Sequence, residues 1–284
     1  MATTLILKRR ILASQNVSKT TRAMQMIAAS KLKRAQEKAQ NSRPYSEKLV
    51  FLSQNIVRKL EESQLHRYMK ISNNATKTLL IVFAPDKGLC GSLIANMARE
   101  ILSFDLTYPD TVYLTVGKKV EKIVASLKKE IVASFKFGTV IPSFDLVYPI
   151  ATIVNDYFLN NKVKEVKIIT SHFLSVFQQK PQITKLLPIE FASDVKSQSL
   201  STLFEPKPKE LLPMLLTHYL EISIYQSVLE SFASEQAARM IAMKNATDNA
   251  LDVVSELKLE YNKARQEKIT NEILDVSGAT FSKL

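Results

Sequence analysis

Few residues in this chain could carry chemistry. The run Asp86-Lys87-Gly88-Leu89-Cys90-Gly91 lies between a continuous apolar run, Leu79 to Ala84, and an apolar-periodic segment through Ile94, Met97, Ile101 and Leu102. Strand, glycine-bearing loop and helix in that order is where α/β proteins bind phosphate, because the N–H groups of a helix start attract anions. The spacing fits neither the P-loop (GxxxxGKS or GxxxxGKT) nor the dinucleotide loop (GxGxxG). A tight turn that needs glycine accounts for the same residues. Cys90 beside a helix start could be an activated thiol, but no histidine neighbours it as a base, so a buried, inert thiol is expected. His66, His172 and His218 show no ligand spacing, and no metal or cofactor is expected. No Ser/His/Asp arrangement can be assembled. The carboxylates of the C-terminal segment read as solvated flanks of a helix rather than an acid/base pair, so no catalytic residue is assigned.

The elements around these residues are dominated by helix. After Pro213 there is no proline, and no glycine appears before Gly278. An unbroken helix over that stretch would run roughly 95 Å at 1.5 Å per residue. Leu215, Ile222 and Leu229 are spaced by seven, and Met243, Ala250, Leu257 and Ala264 continue the register, interrupted by Gln236. Tyr225, Phe232, Met240, Val254 and Tyr261 fill the other half of the seam. A seven-residue repeat asks for a partner helix.

That partner is expected at the start of the chain, where the first helix breaker is Pro44, read as a kink rather than a stop. Thr3 or Thr4 is placed as the helix cap, and Ala13, Val17, Thr20, Met24 and Ile27 as its apolar stripe. Residues 1–40 carry nine lysines and arginines against one acid, Glu37, whereas residues 210–284 carry eleven acids and seven bases. Such charges favour pairing between the two helices, though an exposed ion pair is worth only about 0–1 kcal/mol. The expectation is an antiparallel coiled coil of the two ends, with the intervening chain inserted at one end.

The chain has 284 residues, one or two domains' worth, with five glycines and no tryptophan, which favours long helices. Its net charge of +12 admits nucleic acid, an anionic membrane or an acidic protein as partner. Its single cysteine excludes an intramolecular disulfide framework. No apolar run reaches the roughly 18 residues of a membrane span, and the first dozen residues are too short and charged for a secretory signal. The chain is therefore expected to be mature from its start and not exported. Between the terminal helices, residues 61–76 read as a linker. Strands are expected at 79–84, 112–116, 131–135 and 166–170, and helices at 118–129 and from Pro149. An edge hairpin is expected over 173–191 and a loose Ser-rich segment over 192–203. Alternation of this kind gives an α/β domain on a mostly parallel sheet. The domain limits are 1–60 (N-terminal helix), 77–205 (α/β domain) and 206–284 (C-terminal helix).

Several stretches go beyond architecture: KTTRAMQMIAASK from Lys19, DKGLCG from Asp86, FEPKP from Phe204, SEQAARMIAMKNATDN from Ser234, and YNKARQ from Tyr261 followed by ITNEILDVSGA. In this order they resemble the gamma subunits of F-type ATP synthases, of the bacterial type, across essentially the whole chain. The resemblance implies a long antiparallel coiled coil with an inserted α/β (Rossmann-like) domain. It also implies a central rotor shaft inside a ring of alternating alpha and beta subunits, with the α/β domain docked on the epsilon subunit and the c-subunit ring. Proton flow would turn the ring and shaft, and ATP would be made on beta, so this chain would drive catalysis without performing it. It would lie on the cytoplasmic side of the bacterial inner membrane, peripherally.

By motif, Met24 is expected to face a beta subunit's lever region. Arg265 and Gln266 would hydrogen-bond a beta or alpha loop, Arg239 would lie near the mouth of the ring, and Phe204 and Glu205 would lie near the c ring. The sequence departs from the family with Lys87 where arginine is commoner and Thr20 where isoleucine is usual. It is also one residue shorter between ITNE and SGA, a change that rotates a helix by about 100°. From the residues alone two alternatives stand: a coiled-coil nucleic-acid binder and an enzyme using the Asp86–Gly91 loop. The first lacks aromatic residues in 1–44 on which bases could stack.

Overall fold

The computed structural model describes residues 2–60, 65–71, 75–191 and 204–281. The Ser-rich segment expected at 192–203 lies outside them, as do parts of the linker. The described chain forms two compact units, Ala29–Arg239 and Met1–Ala28 with Met240–Leu284. The terminal helices α1 (Ala2–Val57) and α5 (Pro208–Phe281) contribute residues to both.

The first unit is built on one five-stranded sheet. Its strands are β1 (Thr78–Phe83), β2 (Thr111–Val116), β3 (Ile131–Phe135), β4 (Glu165–Phe173) and β5 (Gln179–Leu187), in the order β3-β2-β1-β4-β5. The first four are parallel, joined through α2 (Leu93–Thr107), α3 (Lys118–Ser126) and α4 (Val147–Leu159). Strand β5 returns antiparallel to β4, the expected edge hairpin. Pro181 sits in this edge strand, where a missing N–H is tolerated. Central strands β1 and β2 are buried along their whole length, which is why they read as continuous apolar runs. Leu80, Val82 and Ala84 pack with Met97, Ile101 and Phe104 of α2 and with Val120 and Val124 of α3. With a period of two, Leu79, Ile81 and Phe83 point to the opposite face.

Several sequence expectations are corrected at helix ends. Helix α1 begins at Ala2, so Thr3 and Thr4 lie within its first turn. Pro44 does not stop it, as expected. Helix α4 starts at Val147, two residues before Pro149; the first turn has no internal use for its N–H groups, so proline fits there. Helix α3 ends at Ser126, short of Lys129, because Lys128 takes a left-handed φ of 55°. Helix α5 already starts at Pro208, the helical position proline favours.

In the second unit α1 and α5 run antiparallel. Leu7 and Ile11 pack with Val254, Leu257, Tyr261 and Ala264, and Thr21 and Thr247 share a hydroxyl hydrogen bond of 2.7 Å. The expected α5 seam of Met243, Ala250 and Leu257 is buried. The expected α1 stripe is not. Ala13, Val17, Thr20 and Ile27 are exposed, and the inward face runs one residue later, through Leu7, Ile11, Ser14, Ser18, Thr21, Gln25 and Ala28. Small and hydroxyl side chains let the backbones approach, and a search for bulky apolar residues passes over them. The charge complementarity of α1 and α5 acts without a salt bridge between them among the described residues: Lys31 of α1 lowers the pKa of Glu235 on α5 electrostatically. The ion pairs of α1 among the described residues are its own, Lys33–Glu37 and Arg43–Glu47. No helix among the described residues is long and apolar enough to cross a membrane.

Gly117 closes the turn from β2 to α3 at φ +117°, and a Cβ there would lie 1.8 Å from the Ala84 carbonyl oxygen. Gly117→Ala is expected to destabilise the protein by about 2–4 kcal/mol, through both the clash and the left-handed backbone. Denaturant unfolding of the full chain followed by circular dichroism measures this.

Candidate functional site

In an open parallel sheet the ligand crevice lies at the carboxyl ends of the strands, where the strand order reverses. Here the chain adds β2 and β3 on one side of β1, then crosses to place β4 on the other. The reversal point therefore lies between the ends of β1 and β4. Residues of α5 meet those two ends. Ser234 Oγ donates to the Ser171 carbonyl at 2.5 Å, and His172 at the end of β4 contacts Glu230. Phe83, the last residue of β1, connects through Phe137 to Phe232, with ring centroids 6.5 and 6.1 Å apart. The Arg239 guanidinium donates to the carbonyls of Gly88 at 3.3 Å and Lys87 at 3.5 Å in the loop after β1. The chain's own helix thus occupies the position where a nucleotide would be expected.

The local sequence explains the fit. Apart from Glu230, the half-buried partner of His172, every residue from Val228 to Ala237 is buried. Small residues (Ser231, Ala233, Ser234, Ala237) bring the helix close, and Phe232 fills the space beside Phe137. The Asp86–Gly91 loop is held from its other side. Asp86 accepts from the backbone N–H of Lys118 at 2.9 Å, Phe137 at 3.4 Å and Gly138 at 2.8 Å. Its carboxylate thereby takes the first N–H of α3, a favourable place for negative charge, and the glycine-bearing turn is structural, as the residues favoured.

Glu235 corrects another expectation. It is 4% exposed, not on a solvated face. One carboxylate oxygen accepts from Arg239 and Gln236. The other is buried with no hydrogen-bond partner among the described residues. Burial pushes this carboxyl above the usual carboxylate range, and Arg239 pulls it part of the way back. Cys90 is buried, as expected of an inert thiol, and burial raises its pKa.

The residues carried over by motif fall into separate places. Met24 is half-buried on α1, while Arg265 and Gln266 are both exposed on α5. Phe204 is half-buried with the Lys59 ammonium 4.7 Å above its ring, and Glu205 is exposed. Arg239 is brought to the Asp86–Gly91 loop, two motifs the sequence kept apart. Glu235 itself was missed. Its signal is a Glu–Arg pair at i, i+4 in a run of mostly small and apolar residues, VLESFASEQAARM, whose one other charge is Glu230.

The comparisons agree with this architecture. A family model described as ATP synthase matches residues 3–281. The ATP synthase gamma chain of Dehalococcoides mccartyi strain 195 is 38% identical, over 98% of both chains. That of Methylacidiphilum infernorum is 37% identical, over 99% of both. The chain belongs to the ATP synthase gamma chain family. Among solved structures, a chain of the Euglena gracilis mitochondrial ATP synthase (OSCP/F1/c-ring, rotational state 3) matches with TM-score 0.71 at 17% identity, covering 99% of this chain and 94% of that one. A chain of the Tetrahymena thermophila mitochondrial ATP synthase central stalk and c ring matches with TM-score 0.60 at 24% identity, covering 80% and 99%. These two establish shared fold. The matches lend no support to the nucleic-acid alternative.

Phe232 is fully buried, so Phe232→Ala should cost about 3–5 kcal/mol. An equilibrium denaturant melt of the full chain tests it.

Proposed function

We propose that this gamma-family chain is the central rotor subunit of a proton-translocating F-type ATP synthase, turning inside a ring of alternating alpha and beta subunits. The observation that carries this reading, beside the family, is the outer surface of the two-helix unit. Ile6, Leu12, Val17 and Ile27 of α1 and Leu259 and Ile269 of α5 are all about half or more exposed, Leu259 at 70%. A two-helix seam uses only one stripe of each helix. Large apolar side chains outside that stripe are what a surrounding protein sleeve would cover. The basic outer face of α1 suits acidic partner loops.

In this reading the chain is non-catalytic and binds no cofactor; ATP chemistry belongs to beta. Residues 1–60 and 206–284 form the shaft, and residues 77–205 form the domain that meets the epsilon subunit and the c ring. Met24, Arg265 and Gln266 serve the alpha–beta ring, Arg239 lies near its mouth on the same helix as Arg265, and Phe204 and Glu205 serve the c-ring end. Arg265 suits an acidic loop because its planar fork donates several hydrogen bonds in fixed geometry. The complex holds the chain peripherally at the cytoplasmic face of the bacterial inner membrane.

The test is reconstitution with the alpha and beta subunits of the same source, isolation of the complex by size, and an ATP hydrolysis assay. The expected result is a complex of three alpha, three beta and one copy of this chain. Arg265→Ala with Gln266→Ala should slow its hydrolysis about tenfold or more, the loss expected from charge-assisted hydrogen bonds. Ile6→Glu with Leu259→Glu should leave the chain helical but prevent its entry into the ring. A wild-type chain that stays out of the complex, or an alpha–beta ring equally active without it, contradicts the reading.

A further inference from the structure

The Arg239 guanidinium is used within its own chain. Its side chain is 13% exposed, one nitrogen paired with Glu235 and the other donating to the carbonyls of Gly88 and Lys87. Those two carbonyls immediately precede Leu89, a non-glycine residue at φ +65° whose side chain is largely exposed. A leucine in the left-handed region costs roughly 1–3 kcal/mol and persists only where its surroundings hold it. On the upstream side Asp86 is tied to the turn at Gly138 and to α3. Downstream, the Cys90 carbonyl accepts from Leu93 N–H at 3.3 Å. Between these anchors, the bonds among the described residues that reach the loop from outside its own neighbourhood come from Arg239.

Glu235 sets where Arg239 can point. Arginine has many rotamers of similar energy, and a buried carboxylate one helical turn away selects among them. Without that carboxylate the guanidinium would gain by swinging to water. Keeping a carboxylate nearly dry, with one oxygen unpartnered, is costly, and a helix face packed by alanine and serine would avoid the cost. Asp86 and Lys31 also act on this carboxyl electrostatically, Asp86 raising and Lys31 lowering its pKa. Lys31 Nζ itself donates to the Thr139 carbonyl at 2.6 Å.

We propose that Glu235 is a positioning residue that holds Arg239 on the Lys87 and Gly88 carbonyls. The resulting clamp fastens the loop after β1 to helix α5 and keeps the α/β unit and α5 turning together. The coupling half of this proposal rests on the rotor reading above; the clamp itself does not.

Cys90, the only cysteine and buried in the clamped loop, reports the clamp directly. Its labelling by a small maleimide is timed on the full chain and read by mass. The forms compared are wild type, Glu235→Gln, Arg239→Gln, the double variant and Tyr68→Phe. Tyr68→Phe is a control that removes the bond to Asn155 on α4. Glu235→Gln keeps the side chain's shape, so it tests charge and not packing. Labelling is expected to rise about tenfold or more in each single variant and no further in the double variant, because both changes open one clamp. The control is expected to match wild type.

The membrane complex carrying Glu235→Gln should hydrolyse ATP within about twofold of wild type. Protons pumped per ATP should fall severalfold. Unchanged Cys90 labelling, an additive double variant, or an equal rise in the control overturns the clamp. Faster labelling with unchanged pumping per ATP overturns its role in coupling. Failure of the wild-type chain to enter the complex is a failure of the rotor reading and leaves the labelling result standing.

Discussion

Helix α5 meets two environments with one unbroken backbone, and the rest of the structure follows from that. Around Val228–Ala237 nearly every side chain is buried, so the surroundings must supply a surface on all sides. The carboxyl ends of β1 and β4 are one such surface, and they are available because the strand order reverses there. From Met243 to Leu257 only Met243, Thr247, Ala250, Val254 and Leu257 are buried, in steps of four and three, and a single partner helix satisfies them. The residue types change with the environment: serine and alanine around one phenylalanine where the helix is enclosed, a heptad seam with charged flanks where it is not.

A crevice that in other α/β proteins receives a ligand here receives a segment of the same chain. This explains how a Rossmann-like sheet can carry a glycine-bearing loop after its first strand without the spacing that phosphate requires. Asp86 occupies the start of α3, and Arg239 occupies the carbonyls of the loop. The loop's two glycines and its left-handed Leu89 serve a turn pressed against a helix. In a rotor the same arrangement has a mechanical use, because force on the α/β unit then bears on α5 through packed side chains and an ion pair rather than through a flexible linker.

Much of the fold was legible in the sequence for physical reasons. A stretch without proline or glycine has little choice but helix, and LLIVFA has little choice but a strand covered on both faces. What escaped was specific. The inward face of α1 was misplaced by one residue because its seam is built from Ser18, Thr21 and Ala28, while Val17 and Ile27 point outward. Bulky residues usually mark a core; on α1 Val17 and Ile27 do not. Charge normally means exposure, and Glu235 departs from that. Only its spacing from Arg239, within a run of mostly small and apolar residues, marks it as paired and buried. The roles proposed for Met24, Arg265 and Gln266 rest on the family resemblance, since a position on an exposed or half-buried helix face does not by itself name a partner.

The most direct test of the rotor account is to watch the chain turn. With the alpha–beta ring fixed to a surface, a visible probe is attached through Leu106→Cys on α2, a position 87% exposed, while buried Cys90 stays unlabelled. ATP is then supplied at limiting concentration. The account predicts that the probe rotates in one direction, at a rate that follows hydrolysis. A probe that stays still while the same complexes hydrolyse ATP at full rate would contradict it.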